Sequence, residues 1–142
     1  MAKYKNKMGK QIIIDATNAT LGRLASYVAK QALQGNEIII VNVERAVVTG
    51  RKKNILEHYH QRISRGGTAQ RGPYFPRTPE RIMKRTIRGM LPNYRMGRGK
   101  EAFKRIRCYE GIPEKYKEVK MIKAGKEKHT TYMNIEQISK KI

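Results

Sequence analysis

The chain has 142 residues, and its 32 lysines and arginines against 11 aspartates and glutamates give a formal net charge of +21. This length predicts one domain with a core of its own. The single cysteine excludes a disulfide framework, and the apolar runs are too short for a membrane-spanning helix. Because no apolar segment follows the basic start, we expect no secretory signal. We expect an intracellular protein with a polyanionic partner, and nucleic acid is the first candidate.

The positive charge is concentrated in the middle of the chain. Residues 45–107 carry +15, whereas residues 1–10 carry +4, residues 11–44 carry −1 and residues 108–142 carry +3. All of the 14 arginines except Arg23 lie in the middle segment. Arginine binds phosphate in a planar, bidentate manner and also stacks on bases. This segment is therefore the predicted nucleic-acid contact surface, since a face made basic only for solubility would need far less charge.

The first elements of the chain form a β–α–β pattern. A β-branched apolar run predicts a strand at residues 11–15, and a second run predicts another at residues 37–43. Between them, apolar residues at helical spacing predict a helix that begins after Thr20 and ends at Gly35. Strands that are apolar on both faces favour a parallel sheet that is covered on both sides.

A third short extended segment, at residues 46–50, leads into a predicted helix over residues 51–63. The packing face of this helix is expected to consist of Ile55, Leu56, Tyr59 and Ile63. Its first turn holds three cations, Arg51, Lys52 and Lys53. Cations at this end of a helix interact unfavourably with its dipole and destabilise it slightly. A phosphate bound there would interact favourably with both the dipole and the cations.

Residues 64–79 break the periodic pattern. They hold three glycines, three prolines and three arginines, a composition that predicts a long loop, and long loops in small domains are often functional. Arginines next to Tyr74 and Phe75 offer ionic and stacking contacts together, which suits irregular RNA. The alternative is a surface loop without a partner.

The next predicted helix carries the clearest binding signal. Thr78, Pro79 and Glu80 supply a cap, a first-turn proline and an early acid. Cations then recur at positions i, i+3, i+4 and i+7, and we call these four residues the basic stripe: Arg81, Lys84, Arg85 and Arg88. The opposite side is predicted to be Ile82, Met83, Thr86, Ile87 and Met90. No acid interrupts the stripe, so its charges repel one another until phosphates lie against them.

The remaining elements are shorter. Residues 92–100 form a second predicted basic loop, followed by a helix at residues 101–106 and a strand at residues 107–109. Residues 114–128 alternate in charge with few apolar positions and are predicted to be irregular or lightly packed. A terminal helix is predicted over residues 134–142, with its inward face made of Ile135, Ile138 and Ile142.

Catalytic machinery is not found in the sequence. The turn after the first strand lacks both glycine patterns of nucleotide-binding loops, and no nucleophile lies beside a base. His58 and His60 would point to opposite sides of a helix, so a metal site is not expected. Cys108, in a predicted strand, is expected to be a buried thiol. A small nucleotide-binding enzyme is therefore the weakest of three hypotheses.

Several segments resemble the large-subunit ribosomal protein thirteen family. They are residues 15–25 (DATNATLGRLA), 47–50 (VVTG), 85–92 (RTIRGMLP), 98–99 (RG) and 109–113 (YEGIP). Residues 71–74 (RGPY), and the lack of an insertion between the first helix and the second strand, are more similar to the archaeal and eukaryotic branch than to the bacterial one. The resemblance covers residues 11–122.

The resemblance implies an α/β fold, namely a three-layer α/β/α domain with a four-stranded, mainly parallel sheet. It implies a structural constituent of the large ribosomal subunit that binds large-subunit ribosomal RNA, meets neighbouring ribosomal proteins and supports subunit assembly in the cytoplasm. It implies no catalysis, and we expect no cofactor, metal, membrane or small-molecule substrate. The alternative is an RNA-binding protein or RNA chaperone outside the ribosome.

We expect the single domain to comprise a basic tail at residues 1–10, an α/β core at residues 11–111 and a C-terminal extension at residues 112–142. Within the core, RNA-binding loops are expected at residues 64–79 and 92–100. The residues predicted to bind RNA are Arg51, Lys52, Lys53, Arg62, Arg65, Arg71, Tyr74, Arg77, Arg81, Lys84, Arg85, Arg88, Arg95, Arg98 and Lys100.

Overall fold

A computed structural model describes residues 9–65 and 74–142 of the chain. In chain order, its strands and helices are β1 (Gln11–Asp15), α1 (Leu21–Leu33), β2 (Glu37–Val41), β3 (Val47–Thr49), α2 (Lys52–Ser64), α3 (Pro79–Met90), α4 (Gly97–Lys104), β4 (Ile106–Cys108), β5 (Ile122–Lys123), β6 (Tyr132–Asn134) and α5 (Ile135–Lys141). Single turns of 3-10 helix lie at Val43–Arg45 and Glu114–Tyr116.

The main sheet has four parallel strands in the order β4-β2-β1-β5. The predicted β–α–β unit forms its centre, with Ile12 of β1 opposite Ile38 of β2. Gly35 follows α1 with a positive φ of 97°, a conformation that glycine adopts without strain, and the chain turns there into β2. The expected α/β fold with a four-stranded parallel sheet is confirmed.

Strand β5 lies within the segment 114–128 that the sequence predicts to be irregular, so that prediction is wrong at these two residues. Ile122 pairs with Ile14 of β1, and Lys123 pairs with Asp15. Both β5 residues are exposed at the edge of the sheet. A two-residue edge strand has neither an alternating nor a continuous apolar pattern, and pairing with a distant strand leaves no local signal.

The two faces of the sheet are covered differently, although both are buried. Ile14, Ile38 and Ile40 share one hydrophobic cluster with the buried residues of all five helices. On the opposite face, Ile13, Ile39 and Val41 pack against Tyr109, Tyr116 and Met121. The helices therefore form one layer, whereas the described chain covering the second face is the segment around the 3-10 turn Glu114–Tyr116.

A small second sheet ties the C-terminus to the core. The extended segment expected at residues 46–50 contains β3, which pairs antiparallel with β6 rather than joining the main sheet. The helix α5 follows immediately, and Asn134 and Gln137 form a capping box at its start. Ile135 and Ile138 are fully buried, as predicted for the inward face of this helix.

Helices α3 and α4 differ from the prediction at their adjoining ends. Met90 was expected on the packing side of α3 but is exposed, and Leu91 is buried in its place. Helix α4 begins at Gly97, so that residues 97–100 form its first turn rather than the end of a loop. Gly99 permits this packing, because a Cβ there would collide with the backbone oxygens of Pro92 and Asn93. Half of the loop predicted at residues 64–79, namely residues 66–73, lies outside the described residues.

Candidate nucleic-acid interface

Helix α3 presents the basic stripe on the side away from its buried residues. Thr78 occupies the N-cap position with extended backbone, although its side chain makes no capping hydrogen bond, and Pro79 begins the helix. Ile82, Met83 and Ile87 are buried and anchor the helix to the core. Arg81 is exposed, and the other three cations of the stripe are half-buried. The predicted separation of a basic and an apolar side is therefore present.

Three cations of the stripe each lie over an aromatic ring from another part of the chain. The Lys84 ammonium lies 4.8 Å from the centre of the Phe103 ring. The Arg85 guanidinium lies 4.5 Å from the Phe75 ring, and that of Arg88 lies 4.8 Å from the Tyr94 ring. A cation–π contact of this kind contributes about 0.5–1 kcal/mol at exposed sites. The rings therefore restrict where these charges can move.

A pocket of about 250 Å³ opens between the stripe and the chain just before α3. The stripe forms one wall of this pocket, and its other lining residues are Tyr74, Pro76 and Phe103. The Tyr74 side chain is 70% exposed. The hydroxyl of Ser139 in α5 donates a 2.6 Å hydrogen bond to the carbonyl of Arg77, which attaches this segment to the C-terminal helix. Tyr74 and the four stripe cations, predicted separately, are thus brought together.

Acidic side chains do not neutralise this surface. The two ion pairs found in residues 9–65 and 74–142 are Arg105 with Glu101 and Lys140 with Glu136. Neither involves a residue predicted to bind RNA. Positive charges that lack an acidic partner and that the fold holds together create a local positive potential that an anion lowers. The surface is therefore suited to bind phosphate groups.

Arg62 of α2 adds a fifth positive charge beside the stripe. Partial burial lowers the pKa of the Arg85 guanidinium, and the charges of Arg62 and Arg88 lower it further. Arg62 and Arg85 also lie beside Tyr59, whose pKa is raised because burial outweighs these two charges. The sequence predicts Arg62 as a binding residue but gives no sign that it lies next to α3, because the two helices are separated by a long loop.

The other predicted binding residues lie around this centre rather than in it. Arg65, Arg77, Arg95, Arg98 and Lys100 are exposed, as are Arg51, Lys52 and Lys53 at the start of α2. Arg95 lies near the same Tyr94 ring as Arg88, at 5.6 Å. Arg98 lines a separate surface pocket with Lys30 and Met90. Arg71 lies outside the described residues.

Phe75, Tyr94 and Phe103 are the residues that the sequence does not identify as supports of the site. Phe75 is expected to be available for stacking on RNA, but its ring already contacts Arg85 and lies 5.7 Å from Tyr59 in an edge-to-face arrangement. Tyr94 and Phe103 also lie close to each other, with ring centres 6.2 Å apart. An aromatic residue close to a basic stripe in sequence, as Phe75 and Tyr94 are, is the only signal that could have indicated this.

Other kinds of site find little support in the part of the chain that is described. No group of three His, Cys, Asp or Glu side chains there is close enough to hold a metal ion. Among the same residues, no helix has the length and apolar character needed to cross a membrane. Cys108 lies in β4 as predicted, and burial raises the pKa of its thiol to about 12. The thiol is therefore protonated at neutral pH and a poor nucleophile.

The fold and the stripe together define a class: a small basic α/β protein that presents an acid-free cationic surface suited to nucleic-acid phosphates. The family model described as Ribosomal protein L13 matches residues 9–115. The chain belongs to this family. The archaeal and eukaryotic branch indicated by residues 71–74 and by the lack of an insertion agrees with the archaeal relatives that the chain matches.

Three relatives, each named large ribosomal subunit protein uL13, illustrate the similarity. The protein of Methanococcoides burtonii is 51% identical over 110 residues, which is 78% of this chain and 78% of that protein. The protein of Thermoplasma volcanium is 41% identical over 133 residues, which is 92% of this chain and 96% of that protein. The protein of Archaeoglobus fulgidus is 50% identical over 102 residues, and the match spans 72% of this chain and 64% of the relative.

Proposed function

We propose that the basic stripe and its aromatic supports bind phosphates of large-subunit ribosomal RNA and so hold the chain in the large ribosomal subunit. As a member of its family, the chain is a structural constituent of the large subunit of cytoplasmic ribosomes and not an enzyme. The observation that carries the proposal is the acid-free cluster of Arg62, Arg81, Lys84, Arg85 and Arg88, which has no ion pair among the described residues. Its contacts with RNA support subunit assembly.

Cation–π contacts at three of its five side chains make this cluster a better phosphate site than five unrestrained side chains would be. A long cationic side chain loses rotamer freedom when it binds, and this loss weakens affinity. The side chains of Lys84, Arg85 and Arg88 are already restricted by Phe103, Phe75 and Tyr94. Because these side chains lose less rotamer freedom on binding, less of the favourable electrostatic energy is offset, and the affinity is higher.

Neighbouring large-subunit proteins are the second class of partner that we propose. Helix α3 and the chain before it are assigned to RNA, whereas three of the exposed apolar side chains lie outside that region, namely Tyr27, Val119 and Ile122. RNA phosphates do not bind apolar side chains, whereas contact with a protein would remove these side chains from water.

Salt dependence tests the stripe directly. Each phosphate contact releases counterions, so the logarithm of affinity falls with the logarithm of salt concentration by about 0.7–0.9 per contact. We compare the native chain with a variant in which all four stripe cations are glutamine. The variant is expected to bind purified large-subunit ribosomal RNA more weakly, with a slope smaller by about 3.

The matched control replaces four exposed lysines of the C-terminal segment, Lys115, Lys117, Lys120 and Lys126, by glutamine. This control removes the same net charge and is expected to keep most of the native slope. Equal slopes for the two variants would show that overall charge, and not the stripe, determines binding. Both variants are also expressed in cells, where only the stripe variant should be missing from large subunits sedimented at high salt. Binding that exchanges at high salt would favour an RNA chaperone instead.

A further inference from the structure

A second groove, larger than the pocket beside the stripe, lies between α2 and the start of α1. Its volume is about 520 Å³, within the range of about 300–1,000 Å³ that is typical of small-ligand sites. Leu21, Ile55 and Tyr59 contribute buried apolar surface to it. Gly22 forms part of the wall on the α1 side. None of the four stripe residues lines this groove, which shares only Arg62 with the proposed phosphate-binding cluster.

Cations and polar groups line the α2 side of the groove. Arg51, His58 and Arg62 are all exposed and all line it. Their spacing places them on one side of α2, and Arg51 and Arg62 are about 16 Å apart along the helix, at about 1.5 Å per residue. None of the residues that line this groove is acidic. The groove thus combines an apolar interior with positive charge at both ends.

We propose that this groove binds one unpaired nucleotide of the ribosomal RNA, with its base inside and its flanking phosphates at Arg51 and Arg62. A base is flat and largely apolar on its faces, and single-stranded RNA is recognised by inserting such bases between protein side chains. An acidic peptide would satisfy the two arginines, but it has no flat apolar group for the space between them. The assignment rests on the proposed function, because it requires the chain to bind RNA.

Position 22 allows the groove to be filled without changing any charge. A Cβ added at Gly22 meets no atom within 4 Å, so the backbone tolerates a side chain there. Both Gly22→Leu and Gly22→Ala remove the low helix propensity of glycine from α1. Gly22→Leu also places a branched side chain in the groove, whereas Gly22→Ala leaves most of the space open. The pair therefore separates groove filling from helix stabilisation.

The experiment measures chemical reactivity of each unpaired nucleotide in purified large-subunit ribosomal RNA, alone and with each protein. The native chain and Gly22→Ala are expected to protect the same set of nucleotides. Gly22→Leu is expected to leave one unpaired nucleotide reactive, to lose about 5–150-fold in affinity, as expected for one stacked base, and to keep the salt slope. Retention of full protection and affinity by Gly22→Leu would overturn the proposal.

A second pair of variants keeps the proposal testable if Gly22→Leu does not fold. His58 lines the groove, whereas His60 is exposed on the same helix and does not line it. His58→Ala should reduce protection of the same nucleotide, and His60→Ala should not. Equal footprints for these two variants would also contradict the proposal. If the native chain bound no ribosomal RNA at all, the proposed function itself would fail, and this outcome is distinct from the loss of one protected nucleotide.

Discussion

Phe75 shows how an apolar side chain contributes to a cationic surface. Its half-buried ring lies between Tyr59 and Arg85, so it packs against the core on one side and carries the guanidinium on the other. The face of an aromatic ring carries partial negative charge and attracts a cation electrostatically. The position of Arg85 is thereby determined by the fold rather than by its own flexible side chain.

Replacing Phe75 by leucine is expected to weaken binding to large-subunit ribosomal RNA by about 2–5-fold, the equivalent of one exposed cation–π contact of about 0.5–1 kcal/mol. Because no charge is removed, the salt slope should not change. Equilibrium binding at several salt concentrations measures both quantities. Tyr132→Leu is the control, since Tyr132 is exposed and no cation lies over its ring among the described residues. A changed slope in Phe75→Leu would contradict a purely positioning role.

Asp15 stabilises the end of β1 through three hydrogen bonds to one carboxylate oxygen. The Thr17 amide donates at 3.0 Å, the Thr17 hydroxyl at 2.7 Å and the Asn42 amide group at 3.1 Å. Partial burial alone would raise the pKa of Asp15, but these hydrogen bonds and the charge of Lys123 outweigh it, and the pKa is lowered. Asn42, which donates one of these hydrogen bonds, has a positive φ of 55°.

The lowered pKa of Asp15 predicts a loss of stability in acid. The carboxylate contributes fully above its pKa in the unfolded chain, about 3.9, and its contribution is lost as the pH falls through the lower folded value. Asp15→Ala should lower the free energy of unfolding at pH 7 by about 1–2 kcal/mol, since solvent screens part of the interaction. Its unfolding curve should also depend less on pH below about pH 4.

Urea unfolding at a series of pH values tests this prediction. Glu57→Ala serves as the control, because Glu57 is exposed on α2 and takes part in no ion pair within the described residues. It removes one negative charge without removing the hydrogen bonds. If the Glu57 variant lost as much stability as the Asp15 variant, net charge rather than the hydrogen bonds at β1 would be responsible.

At the scale of elements, α4 depends on its close approach to the turn that follows α3. Gly99, in the first turn of α4, lies against the backbone of Pro92 and Asn93. The same helix carries Arg98, Lys100 and Phe103, so its placement determines where the supporting ring for Lys84 lies. A side chain at Gly99 would therefore disturb both the packing and the site.

Gly99→Ala is expected to lower the free energy of unfolding by about 1–3 kcal/mol, because the added methyl group has no space. Gly89→Ala is the matched control. Gly89 lies within α3, and a Cβ there meets nothing within 4 Å, so alanine should raise stability by about 0.5–1 kcal/mol. Thermal unfolding measures both changes. Stabilisation by both variants would show that α4 can move away from the turn at no cost.

The elements that local pattern determines could be predicted from the sequence, and those that depend on distant partners could not. The helix spacing of Ile82 and Ile87, and the continuous apolar runs of β1 and β2, specify their own structure. β5 and β6 become strands only because β1 and β3 are available as partners. The start of α4 at Gly97 likewise depends on packing against the preceding turn.

The candidate site divides in the same way. The stripe follows from helical spacing alone, because four cations at i, i+3, i+4 and i+7 must share one side. The electrostatic effect of Arg62 on Arg85, and the rings beneath the cations, depend on how α2, α3 and α4 pack together. One-dimensional spacing contains no information about contacts between elements that a long loop separates.

On the scale of the whole molecule, the net charge of +21 destabilises the free chain through repulsion between its cations. Few of the cations are neutralised, since the described residues form only two ion pairs. Within the stripe alone, four pairs of cations are helix neighbours three or four positions apart. Each such pair destabilises a helix by about 0.2–0.5 kcal/mol at low salt. RNA phosphates would remove this repulsion, and dissolved salt screens it.

Salt should therefore affect stability and binding in opposite directions. Raising potassium chloride from about 0.05 M to about 0.5 M shortens the range of the repulsion from more than 10 Å to less than 5 Å. The free chain should then gain about 1 kcal/mol in free energy of unfolding, or about 2–5 °C in midpoint temperature. Over the same range its affinity for large-subunit ribosomal RNA should fall steeply. Thermal unfolding and equilibrium binding, measured in the same buffers, provide the two curves.

The variant with four glutamines in the stripe locates the source of the effect. Without the four cations, the gain in stability with salt should shrink by most of that ~1 kcal/mol. The variant lacking four C-terminal lysines should keep the gain, because Lys115, Lys117, Lys120 and Lys126 are exposed and lie outside the α-helices. A stability that does not change with salt in the native chain would show that the stripe charges do not repel. RNA phosphates would then have no repulsion between cations to remove, and affinity would arise only from the attraction between phosphates and cations.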